Sequence, residues 1–147
     1  MLDTDGRMYT ASIESLRQHD SAEIDLDIYA LDKEINRSER DVRKKVMKHL
    51  MLSSDTQLNS GLALVSVVID IERIGDYTKN IYDLARSHPK RLKAGSLEAK
   101  LQEIEAHITE VFNHAIEAFK EGDEELARQV MEEYKEEIST DCDDMAG

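Results

Sequence analysis

An all-α antiparallel bundle of long helices is the fold class predicted by three features of the sequence. Apolar residues recur at steps of three, four and seven over long stretches, which is the period of one helix face. Charged residues make up 35% of the 147 and the hydrophobic set 40%, with one proline and no tryptophan. That balance favours long solvated helices over sheet or disorder. Breaks between the periodic stretches are few and short, and the length suits one compact domain better than two of ordinary size.

Residues 7–18 carry a modest stripe in Met8, Ile13 and Leu16 and are expected to be the end of a helix. Over residues 22–52, Ile24, Ile28, Leu31, Ile35, Val42, Val46 and Leu50 line one face and predict a long helix. Ser53-Ser54-Asp55 offers side-chain acceptors for the first N–H groups of the next helix, so a short turn is expected there. Over 56–87, Leu58, Leu62, Val65 and Ile69 form one stripe, and Leu64, Val67, Val68, Ile71, Ile74 and Ile81 form another. A helix apolar on two faces is an inner helix. The short turn makes it the antiparallel neighbour of the helix before it.

Residues 87–96, Ser-His-Pro-Lys-Arg-Leu-Lys-Ala-Gly-Ser, hold the single proline and read as the main linker. A further helix is predicted from Ser96 or Leu97 to Glu121, with Leu97, Leu101, Ile104, Ile108, Val111, Ala115 and Phe119 in its stripe. Gly122-Asp123 interrupts, and a last helix runs from Glu124 through Leu126, Val130, Tyr134 and Ile138. The expected division is therefore 1–86, a linker at 87–96, and 97–147. The uncapped end and the short first stripe lead to the expectation of a piece of a longer bundle, or of a second copy completing it.

The formal charge of −13 repels a phosphate backbone and argues against nucleic acid as partner. Cys142 stands alone, so disulfide stapling and thiolate metal clusters are not expected, and a reducing, cytoplasmic setting is. No apolar run approaches the roughly 18–20 residues of a spanning helix. The basic run Arg37, Arg40, Arg43, Lys44, Lys45 and Lys48 and the acidic tail from Glu121 to Asp144 are first of all solvated helix faces. Ferritin-like di-iron chemistry needs Glu-x-x-His, whereas Glu103 to His107 and Glu110 to His114 are one residue too long. No nucleophile–base pair or phosphate-cradling glycine loop is present, so no catalytic site is expected.

The sharpest motif is Ile69-Asp-Ile-Glu-Arg-Ile-Gly-Asp-Tyr-Thr-Lys-Asn80. Helical steps from Leu62, Val65 and Ile69 land on Glu72, Asp76 and Asn80, which predicts two carboxylates turned inward. Buried carboxylates require a cation, a strong donor or a proton. On the preceding helix Asp32, Asn36 and Glu39 border the apolar stripe and can meet Glu72 and Asp76 across an antiparallel pair. An all-oxygen cluster suits hard or borderline cations such as Mg, Mn or Fe. The competing expectation is a salt-bridge network in which Arg73 or an arginine of the preceding helix pairs with Glu72 and Asp76. Gly75 costs about 1 kcal/mol of helix propensity relative to alanine, for which a close helix approach is the natural reason.

The run Asp70 to Ile81, with Leu31-Asp-Lys-Glu-Ile-Asn36 and Glu39 upstream, closely resembles the signature of the PhoU family of phosphate-signalling proteins. The resemblance covers about 22–85 as one repeat and, more loosely, 97–138 as part of a second. No second Glu-Arg-Ile-Gly-Asp follows, and Glu133, Tyr134, Glu137 and Ile138 do not reproduce it. It implies a PhoU-like three-helix repeat, and a cytoplasmic, non-enzymatic regulator of phosphate uptake acting with a phosphate ABC transporter and a sensor kinase, and working as a homo-oligomer. It also implies a metal ion or multinuclear metal cluster (Fe, Mn, Mg or Zn) on Glu72 and Asp76, with Asp32 and Asn36 as the weaker pair. The alternative is a structural or regulatory helical domain of a larger protein, such as the tail of a sodium–phosphate symporter.

Overall fold

The computed structural model describes residues 1–22, 24–52, 57–88, 90–134 and 138–146. The expected cap at Ser53, Ser54 and Asp55, Pro89 of the linker, and Glu137 lie outside the described residues. Among the described residues every regular element is helical. These are α1 (Leu2–Gln18), α2 (Ile28–Leu52), α3 (Leu58–Ser87), α4 (Glu98–Glu121), α5 (Glu124–Glu133) and α6 (Ser139–Ala146), with a 3₁₀ turn at Gly95–Leu97. The chain divides into two compact units, Met1–Leu92 and Lys93–Gly147.

In the first unit α3 packs against both α1 and α2, which touch each other much less. Contacts that step forward along α3 step backward along α2: Gly61 meets Leu50, Gly75 meets Ile35, and Asp83 meets Tyr29. The two helices are therefore antiparallel, as the short turn demanded. Along α1 the order is the reverse, with Asp5 at Gly75 and the Tyr82 hydroxyl donating to the Ala22 carbonyl at 3.0 Å. Hence α1 runs parallel to α3. Met8, Ile28 and Ile35 form the core, and Met1, Ile24, Leu26, Leu31 and Tyr82 pack around them.

Helix α1 is a complete third partner for α3 rather than the short end predicted at 7–18. Its buried face is Asp5, Met8, Ser12, Ser15 and Leu16. The helical period is present, but three of its five members are polar and hide it from a search for apolar stripes. Small side chains suit this contact, because α3 offers Gly75 to Asp5 there. Helix α2 begins at Ile28 and not at residue 22. The Asp27 carboxylate accepts from the Ala30 N–H at 2.9 Å, which caps the helix there.

The inner position expected for α3 holds from Val68 onward, where Val68, Ile71, Gly75, Thr78 and Ala85 are buried. With Asp5 level with Gly75, α1 does not extend to the first turns of α3, and Leu58, Leu62 and Leu64 are exposed. At the other end the Arg86 guanidinium lies 5.5 Å from the Tyr29 ring centroid and donates to its hydroxyl at 2.6 Å, while that hydroxyl donates to Asp83.

In the second unit α4 buries Ile104, Val111 and Ala118, one heptad apart, and Phe119 at the end of the predicted stripe is exposed. Gly122 ends α4 with φ of +67°, a conformation that glycine adopts without strain. Asp123 then caps α5 by accepting from the Glu125 and Leu126 N–H groups at 3.0 Å each. Helix α5 follows it as predicted, residues 135–137 lie outside the described residues, and beyond them Ile138 is buried and α6 continues to Ala146. Lys100 lies 3.7 Å from Asp141 and 3.8 Å from Asp144. No helix among the described residues is long and apolar enough to cross a membrane.

Candidate metal centre

At Gly75 all three helices of the first unit meet. A Cβ there would stand 2.9 Å from Asp5 Oδ1 on α1 and 3.2 Å from Ile35 Cδ1 on α2. The close approach expected from a glycine inside a helix is realised from two directions at once. Acids surround the point: Glu72 and Asp76 on α3 flank it, and Asp32 and Glu39 flank Ile35 on α2.

The line Leu62–Val65–Ile69–Glu72–Asp76–Asn80 runs along the rim of the α2–α3 seam and not into the core. Leu62 and Asn80 are exposed, Glu72 is half-buried, and the Asp76 side chain is 44% exposed. The buried line is the neighbouring one, Val68–Ile71–Gly75–Thr78, because both partners close on the face that lacks a side chain at Gly75. On α2 Glu39 is buried, and the Asp32 side chain is 15% exposed. Asn36 spends its amide on its own helix, donating to the Asp32 carbonyl at 3.0 Å.

The cation at this seam is Lys79. Its Nζ donates to Asp76 Oδ1 at 2.7 Å and to Asp32 Oδ1 at 2.9 Å, joining α2 to α3. The bond to Asp76 is the chief reason that its ammonium is held above the usual lysine range; the bond to Asp32 adds to this, while partial burial opposes it. The arginines expected in that role are elsewhere. Arg73 turns to Asp70 at 3.2 Å, and Arg43 pairs with Glu39 at 2.7 Å within α2. Lys79 follows Glu72 by seven residues and Asp76 by three, so one more helical step along the motif reaches it.

Glu72 is the carboxylate that this network leaves strained. Burial raises its proton affinity first, and the negative charges of Asp76, Glu39 and Asp32 raise it further, against a smaller opposing effect of Lys79. Asp5, which the sequence reading passed over, is fully buried, and neither carboxylate oxygen has a hydrogen-bond partner. Burial pushes its carboxyl up to about 7, with the amino terminus pulling down and Glu72 pushing up.

Among the described residues Asp32 and Asp76 pair with Lys79 and Glu39 with Arg43, so the seam gathers negative charge on hard oxygen donors. That donor chemistry fits a hard divalent cation. Among the described residues no three His, Cys, Asp or Glu side chains stand close enough as arranged to hold a metal ion. Lys79 occupies the carboxylates that would have to converge.

A family model described as the PhoU domain matches residues 1–85, the stretch that contains α1, α2 and the Glu72–Asp76 motif. No curated protein matches the chain. No solved structure matches it either.

Proposed function

The chain belongs to the PhoU domain family, and from that premise we propose that it is a non-enzymatic, cytoplasmic regulator of phosphate uptake and phosphate signalling. In this role it binds a divalent metal ion or metal cluster at the α2–α3 seam and docks to a phosphate ABC transporter and its sensor kinase, as a homo-oligomer. The observation that supports the proposal is that Lys79 bridges Asp32 and Asp76 across the α2–α3 seam while the neighbouring Glu72 has its proton affinity raised by burial and by the negative charges of Asp76, Glu39 and Asp32.

A bound cation would supply positive charge that ties α2 to α3 and an open ligand position for a phosphate oxygen. The chain's own residues set the conditions for that. Glu72 and Asp76 on α3 and Asp32 and Glu39 on α2 hold the negative field. Lys79 guards it when no ion is present, and Gly75 keeps the helices close enough for both sides to act on one point.

The docking face is supplied by α2. Arg40, Arg43, Lys44 and Lys48 line one groove with Met47 and Met51, and the two methionines are exposed. Basic side chains interleaved with adaptable thioethers suit an acidic protein surface. The structural alternative, a helical domain of a larger protein such as a symporter tail, draws on the same lysine, since Lys79 already satisfies Asp32 and Asp76 in part.

Metal analysis of the purified protein beside a Glu72→Ala, Asp76→Ala double variant separates the two. Metal bound in stoichiometric amount by the parent and lost from the variant is the expected result. Equal metal content in both removes these residues from the site and leaves the structural role.

A further inference from the structure

We propose that Asp5 is an additional carboxylate ligand of the same seam, so that a hard divalent cation is held by α1 as well as by α2 and α3. This rests on the cation reading of the seam and extends it to a third helix, through a residue outside the Glu72–Asp76 motif.

Residues 72, 75, 76 and 79 share one side of α3, and Gly75 leaves a gap in that row between Glu72, Asp76 and Lys79. The Asp5 carboxylate fills the gap, with Oδ1 at 2.9 Å from the position of the missing Cβ. Asp5 is 0% exposed, and neither of its oxygens has a hydrogen-bond partner. An orphaned carboxylate in such a place is among the most unfavourable groups a fold can bury. Packing alone does not call for it, since an apolar side chain of similar size would fill the same space at no electrostatic cost.

A cation between Asp5 and Glu72 gives the orphaned oxygens a partner. Hard divalent ions such as Mg²⁺ and Mn²⁺ keep several waters and need only one or two protein carboxylates. Two acids from different helices meet that requirement, Asp5 from the buried side and Glu72 from the half-exposed edge. Lys79 then needs to release only Asp76 for a third oxygen to join.

Isothermal titration of the full chain with Mn²⁺ tests the proposal, using the isosteric Asp5→Asn beside the parent, Glu72→Ala with Asp76→Ala, and Asp70→Asn as a control on the outer face. Asp5→Asn is expected to weaken Mn²⁺ binding at least tenfold with helical circular dichroism unchanged, while Asp70→Asn binds like the parent. Parent-like affinity in Asp5→Asn together with loss in the double variant overturns the role of Asp5 alone. No Mn²⁺ uptake by the parent overturns this role and the seam reading together. Hydrogen exchange on the parent protein gives a readout free of any variant's folding. Mn²⁺ is expected to slow exchange in the first turns of α1 as well as around residues 70–80, and protection confined to α2 and α3 contradicts the proposal.

Discussion

Lys79 touches two carboxylates and Asp5 touches none, although both sit within about one turn of Gly75. Removing the lysine should therefore be felt at Asp32 and Asp76. Lys79→Met is expected to lower the stability of the metal-free protein by about 1–2 kcal/mol, between the values typical of exposed and fully buried pairs. Mn²⁺ should restore that loss and bind more tightly than to the parent, because it no longer competes with an ammonium. Urea midpoints with chelator and with Mn²⁺ measure both effects. For Asp5 the sign runs the other way. Unfolded, the carboxyl gives up its proton near 3.8, and folded near 7, so between those pH values the folded state holds the extra proton. Its contribution to stability falls as pH rises through that window, by at most about 1.4 kcal/mol per pH unit, and is flat on either side. With chelator present, Asp5→Asn should accordingly gain stability over the parent as pH rises from about 4 to about 7, and a constant difference across that window would contradict the burial of a titrating carboxyl. Helical spacing set Asp32, Asn36 and Glu39 opposite Glu72 and Asp76; the structure puts Glu72 and Asp76 at the rim of the seam instead of inside it, and Asn36 bonds its own helix. Lys79 and Asp5 were not legible in the sequence: the expected cation was an arginine, and a polar residue on the buried face of α1 gives no hydrophobic signal.

Two glycines within α3 separate close packing from mere propensity at the level of the helix. A Cβ at Gly75 meets Asp5 and Ile35, both fixed in the helix contacts, so Gly75→Ala should destabilise by about 1–3 kcal/mol despite the better helix former. At Gly61 the Cβ meets the branched end of the half-buried Leu50, Cγ at 3.1 Å and both methyls at 2.9 Å, a flexible side chain that can turn aside, so Gly61→Ala should be neutral or stabilising. Thermal melts of the two variants decide this, and equal effects would deny Gly75 its special place. The same scale explains what the periodicity disclosed. Helices α2, α3 and α4 carry apolar stripes and were readable within a few residues; Ile28, Ile35 and Val46, for example, are buried as their spacing requires. Helix α1 escaped because its contact uses serine and aspartate, and the start of α2 moved because Asp27 supplies a local cap that a hydrophobic pattern cannot register.

For the molecule as a whole, the family match and the acid seam both fall within the unit Met1–Leu92, while the second unit keeps its own buried residues Ile104, Val111, Ala118 and Ile138. A chain of residues 1–92 is therefore expected to fold with cooperative helical melting and to bind Mn²⁺ with the affinity of the full chain. A loss of either would show that the second unit takes part in the site.

The most direct measurement of the central claim is a crystal structure grown with Mn²⁺ and read by anomalous scattering. One peak or a small cluster beside Glu72 and Asp76, with the Lys79 ammonium moved off at least one of its carboxylates, is the expected outcome. An anomalous map empty at that seam, with Lys79 still bridging Asp32 and Asp76, would contradict it.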